Sequence, residues 1–155
     1  MSYKHILLPT DGSSISEAAA AAGIDLARMC GARVTAMHVV PIPAPPELEA
    51  WAHHDPDFEK RFVQVLEKRG ALYLETIRDA ARRAGVACDC RLARGDSPHA
   101  QIIAEAKTGD YDLIVMASHG ARGGDGTLLG SETVKTATLG TVPVLVHRAT
   151  QRAAA

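Results

Sequence analysis

The chain carries no excess of positive charge. Its 17 Lys and Arg are balanced by 18 Asp and Glu, for a formal net charge of −1. No basic field therefore points to nucleic acid or to an anionic membrane surface. It has no apolar run near the ~20 residues that span a bilayer. The opening residues, Met1-Ser2-Tyr3-Lys4-His5, do not have the layout of a signal peptide. Cysteine is scarce, with only Cys30, Cys88 and Cys90. An odd count without a secretion signal argues against a disulfide framework and for a reducing, cytoplasmic setting. Also missing are a Gly-x4-Gly-Lys-Ser/Thr phosphate loop and any nucleophile–base pair or metal cluster that would support strong catalysis.

What remains is a chain of 155 residues with 46% apolar content, enough for one domain with a real core. Five short apolar runs punctuate it: 5–9, 33–40, 87–93, 111–117 and 142–147. The second, fourth and fifth are rich in Val, Ile and Leu, as in parallel strands covered on both faces. The third alternates small apolar with polar residues and reads as an edge strand. Helical patterns fill the gaps. Ser14 to Cys30 is alanine-rich and ends at Gly31, a C-cap position. The stretch from Asp57 to Ala84 is long and amphipathic, with Phe58, Phe62, Val65, Leu72, Leu74 and Ile77 on its apolar face and Gly70 as a weak point inside it. Ser97 to Ala106 is shorter, with Ser97 as N-cap and Pro98 at the first helical position. A last helix runs from Glu132 to Leu139. The alternation predicts a single-domain α/β fold over residues 1–148, a five-stranded parallel sheet with helices on both faces, and a frayed tail over 149–155.

In such sheets, ligands bind beyond the carboxyl ends of the strands. The first strand ends in Pro9-Thr10-Asp11-Gly12-Ser13. The fourth ends in Met116-Ala117-Ser118-His119-Gly120, followed by a glycine-rich loop to Gly130-Ser131. Glycine lets backbone N–H groups approach a phosphate, and the following helix N-terminus favours an anion. Asp11 is read either as a ribose or base ligand or as the cap of the first helix. Ser131 is read as the cap of the last helix and a phosphate donor. His38 is expected to be buried at the end of the sheet. His119 would meet a phosphate or point to solvent. His53, His54 and Asp55 lie in a proline-rich loop with Trp51 and read as solvated.

These motifs resemble the universal stress protein family. Its ATP-binding members carry Gly-x2-Gly-x9-Gly-Ser/Thr after the fourth strand, and this chain has Ala117-x2-Gly120-x9-Gly130-Ser131. The opening from Ile6 to Ser13, His38-Val39-Val40, Gly95-Asp96-Ser97-Pro98, the run from Tyr111 to Met116 and the closing Val142-Pro143-Val144-Leu145-Val146 resemble the family in the same order. The resemblance implies strand order 3-2-1-4-5, a homodimer and an adenine-nucleotide crevice. It sets Pro9, Thr10, Asp11 and Val39 against adenine or ribose. Met116, Ala117, His119, Gly120 and Arg122 would line the loop, and Gly130, Ser131 and Glu132 would lie at the phosphates. The ligand it implies is ATP, or ADP or AMP, carried with Mg²⁺ or Mn²⁺. Ala117 stands where the motif has glycine. A methyl group there fits an extended backbone and crowds one with positive φ.

The last strand is apolar and terminal in the order, so a dimer through Val142, Val144 and Val146 would cover its edge. The function implied is a regulatory nucleotide-binding protein, at most a slow hydrolase. The alternatives are a relative that works through protein contacts alone and a thiol sensor using Cys88 and Cys90. That pair shares a strand face, and two small core residues is the preferred reading of it. No nucleic-acid or membrane partner is expected.

Overall fold

The computed structural model describes residues 2–42, 57–119 and 129–148. Five parallel strands, β1 (His5–Pro9), β2 (Arg33–Val40), β3 (Cys88–Arg94), β4 (Leu113–Ala117) and β5 (Val144–His147), form one sheet in the order β3-β2-β1-β4-β5. Among the described residues four helices connect them: α1 (Ser14–Cys30), α2 (Phe58–Arg83), α3 (Pro98–Thr108) and α4 (Ser131–Leu139). The expected fold and strand order are observed. β5 begins at Val144 rather than Val142. Pro143 has no N–H for a ladder, and it supplies only its carbonyl, to Ile114 N at 2.9 Å.

Strand alternation divides the core between the two faces. Ile6, Leu8, Val34 and Val115 face α1 and α2, where Ile24, Leu74 and Ile77 meet them. Leu7, Met37, Ile114 and Met116 face the other way, toward Ile102 and Ala106 of α3. β1 is buried at all five positions because it is the middle strand and is covered on both sides.

α2 departs from expectation at its amino end. Leu74, Ile77 and Ala81 are buried, but Phe62 and Val65 are exposed, and Leu72, between buried Gly70 and Leu74, lies on the solvent face. A helix of 26 residues is about 39 Å long, against about 25 Å for the eight residues of β2. Its first turns therefore overhang the carboxyl edge of the sheet. Gly70 is also not a weak point. A Cβ there would lie 2.5 Å from His38 Cδ2 and 2.8 Å from Leu92 Cδ1, so glycine is what lets α2 sit down on β2 and β3. Gly70→Val should overpack this contact and lower stability by about 1–3 kcal/mol, read from urea unfolding.

β3 is the edge strand expected, paired with β2 alone. Cys88 and Cys90 pack against the core on the α2 side. The Cys90 thiol donates to Leu74 O at 3.7 Å and that of Cys88 to Asp89 O at 3.4 Å. Burial, and then the neighbouring Cys90, push the Cys88 thiol up to about 11. The reactive thiolate is thus disfavoured, which favours the small core residue over the sensor. Iodoacetamide should leave Cys88 unmodified in the folded protein at pH 8, as mass spectrometry of the peptide would show.

Candidate nucleotide site at the carboxyl ends of β1 and β4

β1 and β4 are paired neighbours, with Ile6 opposite Leu113 and Leu7 opposite Ile114. Continuing that offset sets Pro9 level with Met116 and Thr10 level with Ala117. The two polar loops singled out in the sequence therefore leave the sheet side by side.

The β1 turn is built by a directed string of hydrogen bonds. Thr10 N donates to Met37 O at 2.8 Å, carrying the chain one residue past the strand. Gly12 N donates to the buried Thr10 Oγ1 at 3.1 Å. Thr10 Oγ1 lies 2.9 Å from Ser16 Oγ, which donates to Ser13 O at 2.9 Å. Each hydroxyl has one proton, so Thr10 must donate to Ser16. Gly12 has φ of +79°, a conformation that favours glycine, and the Tyr73 ring of α2 lies where its Cβ would be.

The structure corrects the capping role considered for Asp11. Ser13 is the N-cap of α1 and accepts from Ser16 N at 3.2 Å. Asp11, exposed at the turn, accepts from Ser13 N at 3.0 Å and from Ser13 Oγ at 2.6 Å. Asp11 thus braces the cap rather than forming it. His38 is half-buried rather than buried. Its Nδ1 is 2.8 Å from Thr10 O and, facing a carbonyl, must carry the proton. Its ring meets Tyr73 edge to face at 5.3 Å. Val39, at the end of β2, is half-buried and packs on the α3-side core.

At the other loop, Met116, Ala117 and Ser118 are buried. Ala117 belongs to β4, and no described non-glycine residue has a positive φ. Extended backbone accommodates the methyl group that replaces the motif's glycine. Ala117 O accepts from Thr133 Oγ1 of α4 at 2.9 Å, and Ser118 N donates to His147 O at 2.8 Å. Gly130 N donates to Ser118 O at 2.6 Å. A Cβ on Gly130 would lie 3.0 Å from His119 Cα. The two ends of the loop are therefore pinched together at His119 and Gly130. The Ser118 hydroxyl lies 2.9 Å from His119 Nδ1. Gly120 and Arg122, like the segment with His53, His54, Asp55 and Trp51 and the tail over 149–155, lie outside the described residues.

Ser131 is not the cap of α4, as its residue type suggested. Gly130 holds that position and Ser131 is the first helical residue. Serine is a preferred cap by local chemistry, but the cap residue here must pass close to His119, and only glycine does so without displacement. Because Gly130 has no side chain, no cap side-chain bond is made to α4. Its first turn is of the kind that takes an anion.

Glu132 turns away from this end. Its Oε2 accepts from His99 N at 2.8 Å and lies 2.9 Å from His99 Nδ1. Burial pushes its carboxyl up, but the His99 backbone and ring, with Lys135, outweigh that and hold it below the usual carboxylate range. A depressed carboxyl adds stability above its ordinary value of 4.5, and that stability is lost as pH falls through the folded value. Glu132→Gln should thus be less stable than the parent at pH 7, and the gap should close as pH falls below 4.5 and through the folded value, in urea titrations across pH.

The residues that sequence reasoning missed, Ser13, Ser16, Ser118 and Thr133, act through contacts with partners that local pattern does not name. Among the described residues, no group of three or more His, Cys, Asp or Glu could hold a metal ion. No described helix is long and apolar enough to cross a membrane.

The family model described as the universal stress protein family matches residues 2–148. Universal stress protein YxiE of Bacillus subtilis is 29% identical over 148 residues, covering 94% of this chain and 99% of its own length. Universal stress protein MJ0531 of Methanocaldococcus jannaschii is 31% identical over 147 residues, covering 93% and 81%. Among solved structures, the hypothetical protein MJ0577 superposes with a TM-score of 0.81 at 27% identity, covering 96% of this chain and 98% of that one. Two more distant likenesses show the shared fold. A universal stress protein in complex with cAMP has a TM-score of 0.65 at 21% identity, covering 96% and 98%. A family member from Arabidopsis thaliana with AMP bound has a TM-score of 0.60 at 18%, covering 94% and 91%.

Proposed function

The chain belongs to the universal stress protein family, and from that membership we propose that it is a regulatory protein that binds an adenine nucleotide, with ATP the first candidate, in the crevice beyond β1 and β4. The observation that carries this is the start of α4. A glycine N-cap is tied to Ser118 O and packed on the His119 backbone, and it leaves the first helical turn without a capping side chain. Phosphates suit that end, with Gly130 allowing close approach, Ser131 as the nearest donor, and Gly120 and Arg122 contributing from the loop. Pro9, Thr10, Asp11 and Val39 form the adenine and ribose side, and Met116, Ala117 and His119 lie between. The cAMP and AMP held by two relatives of the same fold support the ligand class. Mg²⁺ or Mn²⁺ would arrive on the phosphates and neutralise them. The chain's own contribution is binding and orientation, with at most slow hydrolysis.

Ligand that binds only the folded state raises Tm. Mg-ATP should therefore raise the Tm of the full chain in a concentration-dependent way, and GTP should raise it less. Equal shifts with ATP, GTP and inorganic triphosphate would contradict an adenine site. The same reading takes the protein as a homodimer through the edge of β5, cytoplasmic in setting. There Val142 and Val144 pack inward while Leu145 is 41% exposed. Light scattering at micromolar concentration should give a dimer, and Leu145→Lys should give a monomer. A wild-type monomer would refute this edge as an interface.

A further inference from the structure

Two neighbouring helices begin in the same way and are tied at the same point. His99 is the second residue of α3 and Glu132 the second of α4. Ser97, the N-cap of α3, makes no cap bond with its side chain; its Oγ lies 3.2 Å from His99 Nδ1 instead. The acceptor for the first turn of α3 comes from the other helix. Glu132 Oε2 takes the His99 backbone N–H at 2.8 Å and its ring Nδ1 at 2.9 Å. The second oxygen, Oε1, is 3.6 Å from Lys135 Nζ. His99 is largely buried in this contact, with 17% of its side chain exposed.

The consequence lies at α4. A carboxylate in the first turn of a helix is ordinarily drawn to that helix's own positive end. Here the cap is Gly130, which brings no side chain, so nothing on the cap residue competes with a phosphate. Glu132 is the acidic residue of that turn, and it is committed to α3.

We propose that His99 is a positioning residue for the nucleotide: by holding the Glu132 carboxylate on the start of α3, it keeps negative charge off the phosphate-facing end of α4 and so sets affinity for the phosphates rather than for the nucleoside. This rests on the nucleotide reading above. Without the His99 ring, only the His99 backbone N–H still holds the Glu132 carboxylate, which then shares its time with its own helix terminus and repels the ligand's phosphates. Adenosine, which has none, is indifferent to that movement.

The test is calorimetric titration of the full chain with Mg-ATP and, separately, with adenosine. His99→Ala should weaken Mg-ATP about 2–5-fold, the effect of one charge at a helix terminus, and leave adenosine unchanged. Glu132→Gln should leave Mg-ATP affinity within about twofold of the wild type, because its charge is already held off the site, and the double variant should match Glu132→Gln alone. His99→Gln, which keeps a donor for the carboxylate, should hold Mg-ATP affinity near that of the wild type. A merely structural role would lower both ligands together. Equal losses for ATP and adenosine, or a double variant as weak as His99→Ala, would overturn the inference. If His99→Ala does not fold, His99→Phe, which fills the space but gives the carboxylate no ring donor, decides: unchanged Mg-ATP binding, or an equal loss of adenosine, overturns the proposal. A wild type that binds neither ligand would instead refute the nucleotide reading, and this inference falls with it.

Discussion

Gly130→Val should abolish tight nucleotide binding while leaving the fold in place. Gly130 has φ −61° and ψ 147°, a conformation open to any residue, so the substitution brings no backbone strain. The penalty is spatial. Even a single Cβ would stand 3.0 Å from His119 Cα, and a branched side chain adds atoms beyond it. The loop must then move off the start of α4, and the Gly130 N to Ser118 O bond of 2.6 Å goes with it. Hydrogen bonds to a charged group contribute about 1.5–3 kcal/mol each. Losing one or two to the phosphates should cost about 10- to 10,000-fold in affinity. Gly130→Ala should fall between, since His119 needs to yield by only a few tenths of an ångström. Far-UV circular dichroism should match the wild type in both variants. Equal affinity across the series would remove this loop from the mechanism.

Leu8→Ala should produce the largest loss of stability. Leu8 is fully buried, and α1 lies so close over it that a Cβ on Gly23 would strike its side chain. The central strand and the helix cannot both collapse into the space left behind. Truncations of this kind cost about 2–5 kcal/mol, against a total of about 5–15 kcal/mol for a domain. At roughly 2–4 °C per kcal/mol for a chain of this size, Tm should fall by about 5–15 °C. The urea midpoint should move without a change in slope. A shift below about 1 kcal/mol would mean that α1 settles onto β1 more freely than this packing indicates. Because Leu8 lies two residues before Thr10, the variant should also loosen the β1 turn.

Much of this architecture was legible because local signals agreed with the global fold. The alanine run of α1, closed by Gly31, and the Val- and Ile-rich strands mark element type from composition and period alone. The strand order came from resemblance to a family, since periodicity does not say which strands pair. The site was legible as two loops but not as a geometry. Ser131 looked like a cap because serine is a good one, and the close approach of Gly130 to His119 decided otherwise. Asp11 looked like a cap for the same local reason, whereas Ser13 takes that place and Asp11 holds it. Glu132 and His99 are separated by 33 positions, and nothing in either neighbourhood announces the other. Gly70 looked like a defect because helix propensity sees only the helix; His38 and Leu92 supply the reason for it. In each case a long-range contact overruled a sound local preference.

Calorimetric titration of Mg-ATP into the wild-type chain is the decisive measurement. Saturable binding of one nucleotide per chain is expected, displaced by AMP and lost in Gly130→Val. Absence of any binding heat at several temperatures, with no nucleotide released from the purified protein by perchloric acid, would contradict it.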